Sequence, residues 1–165
     1  MLSQLADPHS YFLNPHAVAT VLASLALLAL AVAVLVRERA SRVSRLFAVA
    51  CATILVWLAA FSAMYCAKTP YVGQWWARAA YLGVPLIPVA IYHFTLLVLR
   101  RAPEPDWLLR AAWALGLSFD AVILTTDALV AGVYHYPWGY YPRYGWLSVP
   151  YLKYFLGMMV VTLRT

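Results

Sequence analysis

The sequence predicts an all-α integral membrane protein, a bundle of about five transmembrane helices with the N-terminus outside and the C-terminus in the cytoplasm. Three observations carry that prediction. The chain of 165 residues is 65% hydrophobic and only 11% charged, with a mean hydropathy of +0.75, which lies outside the usage of soluble domains. Uncharged runs recur at the length of about 20 residues needed to cross a hydrocarbon core roughly 30 Å thick. The basic residues gather in alternate linkers between those runs, as cytoplasmic loops do.

The first span is expected over 17–36 and the second over 46–67, neither containing a charge or a proline. The third, over 79–99, contains Pro85 and Pro88. Each proline removes a backbone donor, so the freed carbonyls must find other partners and the helix should kink. The fourth, over 107–133, carries Asp120 and Asp127, and the fifth, over 148–163, is short. All 165 residues are read as one transmembrane domain without a soluble domain. The rows Ala48/Ala52 and Ala59/Ala63 have the spacing that lets helices approach closely.

The twelve basic residues divide eight to four. Arg37, Arg39, Arg42, Arg45, Arg100, Arg101, Arg110 and Arg164 fall on one side, and Lys68, Arg78, Arg143 and Lys153 on the other. The positive-inside rule makes the first side cytoplasmic. The net charge of +6 is then a topology signal, with a weak attraction to anionic inner-leaflet lipids, and it implies no nucleic-acid partner. No cleavable signal is evident: the segment before the first span carries Asp7 and no basic residue, so that span should stay as an anchor. Cys51 and Cys66 lie 15 residues apart on one expected helix, about 22 Å, too far for a disulfide. Neither zinc-ligand spacing, nor a phosphate-binding glycine loop, nor a serine-histidine arrangement is found.

Between spans four and five runs YHYPWGYYPRYG, 134–145, with five tyrosines and a tryptophan. One reading is an interfacial belt, in which rings sit at headgroup depth with their polar tips wet. The alternation of Pro137, Gly139, Pro142 and Gly145 with the rings favours a fixed turn structure. Tyr134, Trp138, Tyr140, Tyr141 and Tyr144 would then form an external aromatic cap over the bundle, covering a lipid-derived or other apolar ligand or docking a partner. Trp138 and Tyr140 are expected to be largely buried. Arg143 and Lys153 lie at the depth of Asp127, in position for an ion pair tying the base of the loop to span four.

The stretch WARAAYLGVPLIPVAIYHFTLLVL, 76–99, and the loop PWGYYPRYG, 137–145, resemble the N-terminal seven-transmembrane-helix region of bacterial sensor histidine kinases and related signalling enzymes. The order also fits: two plain helices, a basic first inner loop, a W-x-R before the third helix, prolines within it, then W-G-Y-Y-P. The resemblance covers nearly the whole chain. It implies an external N-terminus, seven helices, the bacterial inner membrane and a cytoplasmic catalytic output domain. The sequence ends after the fifth span, before any phosphoacceptor helix or ATP-binding domain, so this chain is expected to be no enzyme. It is either a fragment of a longer protein or a truncated relative serving as a membrane subunit.

Ionisable groups at membrane depth cost about 2.5 to 3.5 kcal/mol on insertion scales and usually face the bundle interior. On one continuous helix Asp120 and Asp127, at i and i+7, share a face about 10 Å apart, with Thr126 beside them. They read either as a ligand-sensing or proton-responsive polar stripe, or as a protonated or paired carboxyl that helps helices associate. His93 in span three is the one histidine at membrane depth. It is a hydrogen-bonded interior residue or a single ligand to a haem or pigment, since a bis-histidine haem needs a second at matching depth. No cofactor or metal is otherwise expected, while a bound lipid or pigment is compatible with the composition. Two functions follow: a signal-input module, or a structural accessory subunit of a larger membrane complex. Partners are the bilayer and either other membrane subunits or a missing C-terminal signalling domain. Transport would call for an inverted repeat, and none is detected.

Overall fold

The computed structural model describes residues 3–38, 41–101 and 106–165. Arg39 of the first basic linker and residues 102–105 of the second lie outside the described residues. A one-turn helix α1 (Ser3–Ala6) and two 3-10 turns lead into α2 (Val18–Arg37) and α3 (Arg42–Tyr65). Then follow α4 (Pro70–Tyr81), α5 (Leu86–Val98), α6 (Asp106–Thr125), strands β1 (Val130–Tyr136) and β2 (Gly139–Tyr144), and α7 (Ser148–Arg164).

Four helical stretches are long and apolar enough to cross a membrane: 15–37, 42–65, 70–98 and 107–125. The expected fifth, α7, has 17 residues. The third stretch starts at Pro70 rather than Ala79, because Thr69 caps it by accepting from the Val72 amide and Pro70 supplies a first helical residue with a fixed φ. It is interrupted where the prolines require. α4 ends at Tyr81, α5 begins at Leu86, and across the break the Ile87 amide donates to the Val84 carbonyl at 3.3 Å. The Pro85 carbonyl accepts from the Tyr154 hydroxyl of α7 at 3.0 Å. Gly83 sits in the break because a Cβ there would lie 2.3 Å from the Thr53 carbonyl of α3.

α3 is the central element, packed on α2, α4 and α5, while α6 and α7 pack on α5. The pattern is that of lipid as solvent, with bulky apolar residues outside and small or weakly polar ones between helices. Leu22, Leu25 and Leu28 of α2 are exposed, whereas Ser24, Thr53, Ala60 and Ser62 are buried. The Ser62 and Thr20 hydroxyls lie 2.7 Å apart across the α2–α3 seam. Of the expected alanine rows Ala52 and Ala59 are exposed, and the buried small residues of α3 include Ala50, Cys51, Thr53, Ala60 and Ser62 instead. Both cysteines are free.

The chain is mostly helical, as expected, and adds one β element between α6 and α7. α6 stops at Thr125, and 130–144 forms an antiparallel hairpin pairing Tyr134 with Tyr141 and Tyr136 with Gly139. Gly132 (φ +150°) and Gly139 (φ +126°) supply backbone angles that a side chain disfavours, and Val130, Val133 and the rings suit a pleated surface. The apolar run Ala128–Val133 therefore ends as a strand, with Leu129 and Val130 fully buried beside Met64, Val72 and Ile123.

The N-terminal segment locks this end of the bundle. Phe12 donates from its amide to Cys66 at 2.9 Å, and Lys68 from its amide to Ser10 at 2.9 Å. Asn14, 7% exposed, donates from Nδ2 to the carbonyls of Tyr65 (2.7 Å) and Trp138 (2.8 Å), and its Oδ1 accepts the His16 amide. One amide thus closes the C-terminus of α3, the hairpin turn and the entry to α2.

Asn14→Ala leaves two carbonyls without a donor and should lower stability by about 1 to 3 kcal/mol, read as a fall in the melting temperature of the protein in detergent. Gly83→Ala drives a methyl into the Thr53 carbonyl and should cost about 1 to 3 kcal/mol or more through overpacking. An unchanged melt for Gly83→Ala would show that the break can move off α3.

Candidate functional site

The site is built from the hairpin downward. Gly139 is forced: besides its positive φ, a Cβ would lie 3.0 Å from the Tyr65 carbonyl and 3.3 Å from Asn14 Nδ2. Its neighbour Tyr140 is 6% exposed. The Tyr140 ring fills the space left by Gly73 of α4, where a Cβ would meet ring carbon Cγ at 2.9 Å, and it lies 4.9 Å from the His135 ring, tilted by 59°. The hairpin is therefore seated on α3 and α4 by one buried ring.

Trp138 departs from expectation. It is 43% exposed and lies parallel to Tyr136 at 4.7 Å with an interplanar angle of 2°. The turn's backbone is held on the bundle by Asn14, but its Tyr136 and Trp138 rings face away and cover each other instead of the core. Tyr134 and Tyr144 are also exposed, as is Trp146 just beyond the hairpin. Exposed rings at the end of a membrane bundle fit headgroup depth or a contact with another molecule.

From β2 a row of rings leads inward. The Tyr141 and Tyr144 hydroxyls are 3.1 Å apart. The hydrogen bond to Tyr144, aided by partial burial, pushes the Tyr141 phenol up to about 12. Tyr144 meets the buried Tyr81 at 6.3 Å, Tyr81 meets Tyr151 at 6.5 Å, and Tyr151 meets Phe119 at 5.5 Å. Phe119 meets Tyr154 at 5.6 Å. Tyr154 ends the row on backbone, with its hydroxyl 3.0 Å from the Pro85 carbonyl and 3.2 Å from that of Ala112. The rings thus join the exposed hairpin to the break between α4 and α5 and to α6.

The charged residues are distributed differently from the sequence expectation. Asp127 lies beyond the end of α6, so it does not share a helical face with Asp120. Its ion-pair partner is Arg78 of α4. Arg143 instead donates to the Ala131 carbonyl at 3.0 Å, within its own hairpin, and Lys153 projects exposed from α7. Thr126 closes the end of α6, donating to the Val122 carbonyl at 2.9 Å and accepting the Ala128 amide at 3.2 Å, so its hydroxyl belongs to the backbone and not to a polar stripe.

Asp120 lies five residues before the end of α6, about 8 Å from it at 1.5 Å per residue, nearer the hairpin than a span ending at Val133 implied. It is half-buried, and its Oδ1 is buried without a hydrogen-bond partner among the described residues. It follows Phe119 in sequence, beside the row of rings. His93 is at the other end of the bundle, edge-to-face with Trp113 at 6.3 Å, its Nδ1 buried without a partner among the described residues. No group of three metal-ligating side chains occurs among the described residues.

Beneath the Asn14 clamp an apolar groove of about 450 Å³ is lined by Leu13, Pro15, Val18, Val21, Leu22 and Cys66, with Asn14 itself at one end. The sequence reading missed Asn14, Arg78, Tyr81, Tyr151 and Tyr154. Signals for some of them existed: T-P at 69–70 marks a helix start that takes Arg78 into the helix, and Tyr151 and Tyr154 are spaced i, i+3 on one face.

The family model described as the N-terminal 7TM region of histidine kinase matches residues 19–163. Among curated proteins and among solved structures, none matches the chain. The matched region takes in α2 to α5, α6, the hairpin and nearly all of α7, and with four helices apolar enough to cross a bilayer this is a multi-pass membrane protein. The chain belongs to the family of N-terminal seven-transmembrane regions of histidine kinases.

Proposed function

We propose that this chain is a signal-input module in the bacterial inner membrane, with its N-terminus and hairpin outside and the arginine-rich ends of its helices in the cytoplasm. The carrying observation is the unbroken row of rings from the exposed Tyr141–Tyr144 pair to Tyr154, whose hydroxyl holds the Pro85 carbonyl at the helix break. A break held by a side chain from another helix is an element with two arrangements, bonded and released. A stimulus that moves the hairpin biases that choice, and through Tyr154 the change reaches both α5 and α7, the last helix before a C-terminal output. The energy available is the differential affinity of the stimulus for the two arrangements.

In this reading α7 crosses the membrane, and the partners are lipid and a cytoplasmic signalling domain. The chain contributes no catalysis and needs no cofactor. The aromatic hairpin receives the signal. Asp120 is uncharged or paired, facing protein, since a lipid-facing charge at that depth is costly.

Hydrogen exchange at 82–87, compared among the parent, Tyr144→Ala, Tyr154→Phe and the double variant, tests the coupling. Each single change should speed exchange there, and the double should add less than the sum, because both act on one row of contacts. Exchange at the break that ignores Tyr144→Ala would favour the accessory-subunit reading, with the rings as lipid contacts alone. Asp120→Asn should keep the fold and Asp120→Lys disrupt it in a membrane-folding assay, whereas equal tolerance of both would place the carboxyl in lipid or water.

A further inference from the structure

At the end of the bundle opposite the hairpin, a recess of about 400 Å³ opens between α3 and α5, lined by Arg42, Arg45, Leu46, Val49, His93 and Leu97. Its charge and its grease are sorted by depth. Arg42 and Arg45 lie in the first turn of α3, both exposed, and α3 begins here, so the positive end of its dipole adds to the two guanidinium groups. Leu46 and Val49 carry the apolar wall further in along α3, and Leu97 faces them from near the end of α5. None of the lining residues is acidic, and among the described residues neither arginine has an ion-pair partner. His93 on the inner wall carries a ring nitrogen without a hydrogen-bond partner.

We propose that this recess binds one anionic phospholipid, its phosphate held by Arg42 and Arg45 and an acyl chain laid along Leu46, Val49 and Leu97. Two cations over an apolar slot complement a phosphate attached to a hydrocarbon tail, and basic recesses between helices are where anionic headgroups settle. The neighbouring recess between α2, α3 and α5 is of similar size, about 490 Å³, but there Glu38 stands beside Arg37 and accepts from the Ser44 hydroxyl at 3.1 Å. Its one arginine and one glutamate leave no net positive charge, so the lipid selects the α3–α5 recess. This proposal rests on the membrane setting and not on the signal-input reading.

The test is native mass spectrometry of the chain in a neutral detergent, titrated with phosphatidylglycerol and, separately, phosphatidylcholine. Phosphatidylglycerol should form a saturable one-to-one adduct, and Arg42→Gln with Arg45→Gln should weaken it roughly thirty-fold, the effect of two interfacial arginines. Arg110→Gln with Arg164→Gln, which removes the same charge elsewhere, should leave it intact. Val49→Trp, which fills the slot at constant charge, should also weaken binding and serves if the double arginine variant does not fold. Equal binding of phosphatidylcholine, equal loss in the control variant, or unaltered binding by Val49→Trp would each overturn the proposal. Displacement of the lipid by inorganic phosphate at comparable concentration would also overturn it, by showing a site for a free anion.

Discussion

Backbone carbonyls at a helix end must find donors, and inside a membrane protein there is little water to supply them. At the C-terminus of α3 that requirement is met by one side chain and one passing strand: Asn14 takes the Tyr65 carbonyl and the Phe12 amide takes that of Cys66. Because Asn14 also holds the Trp138 carbonyl, the same solution fixes the hairpin turn. The N-terminal segment is thereby a structural part of the bundle. Gly139 follows from it, since any side chain there would press on the Tyr65 carbonyl and Asn14.

The second break in regular structure obeys the same rule. Pro85 and Pro88 remove donors from the third helix, and the protein answers with a short-range bond at Val84 and a tyrosine from α7 at Pro85. The Asn14 and Tyr154 repairs each use an element distant in sequence, so each also becomes a link. The hairpin is tied to α3 and α4 through Asn14 and Tyr140, and the helix break is tied to α7 and α6 through Tyr154. Between the two runs a row of rings in edge or tilted contact, each individually worth about 0.5 to 1.5 kcal/mol.

Much of this was legible in the sequence. Apolar run lengths predicted about five spans, of which four are helices of membrane-crossing length, the two prolines predicted the interruption of the third, and the density of rings with glycine and proline predicted an ordered element before the last helix. The failures share a cause: composition reports a residue's solvent, not its partner. Ala128–Val133 is apolar, so it extended span four on paper, yet the run is buried as a strand and the helix stops at Thr125. Arg78 looked like a loop residue because it is charged, but Asp127 pairs with it from the α6–β1 connection and lets α4 run on from Pro70. The same pair answers what Arg143 and Lys153 were expected to do. Asn14 gave no signal at all, because a single buried amide has no pattern. Trp138 was assigned to the interior with Tyr140, whereas the pleat sends Tyr140 inward and the two-residue turn leaves Trp138 outside on Tyr136.

The central claim is that the aromatic segment is a fixed part of the bundle, seated through Asn14 and Tyr140. Amide hydrogen exchange across 133–141, followed in the membrane-embedded protein, tests this most directly, since local opening reports how firmly a segment is held. The account predicts protection of the cross-strand amides approaching that of α3 and α5, lost in Asn14→Ala. Exchange at the rate of an unstructured loop in the parent protein, with α3 and α5 still protected, would contradict it.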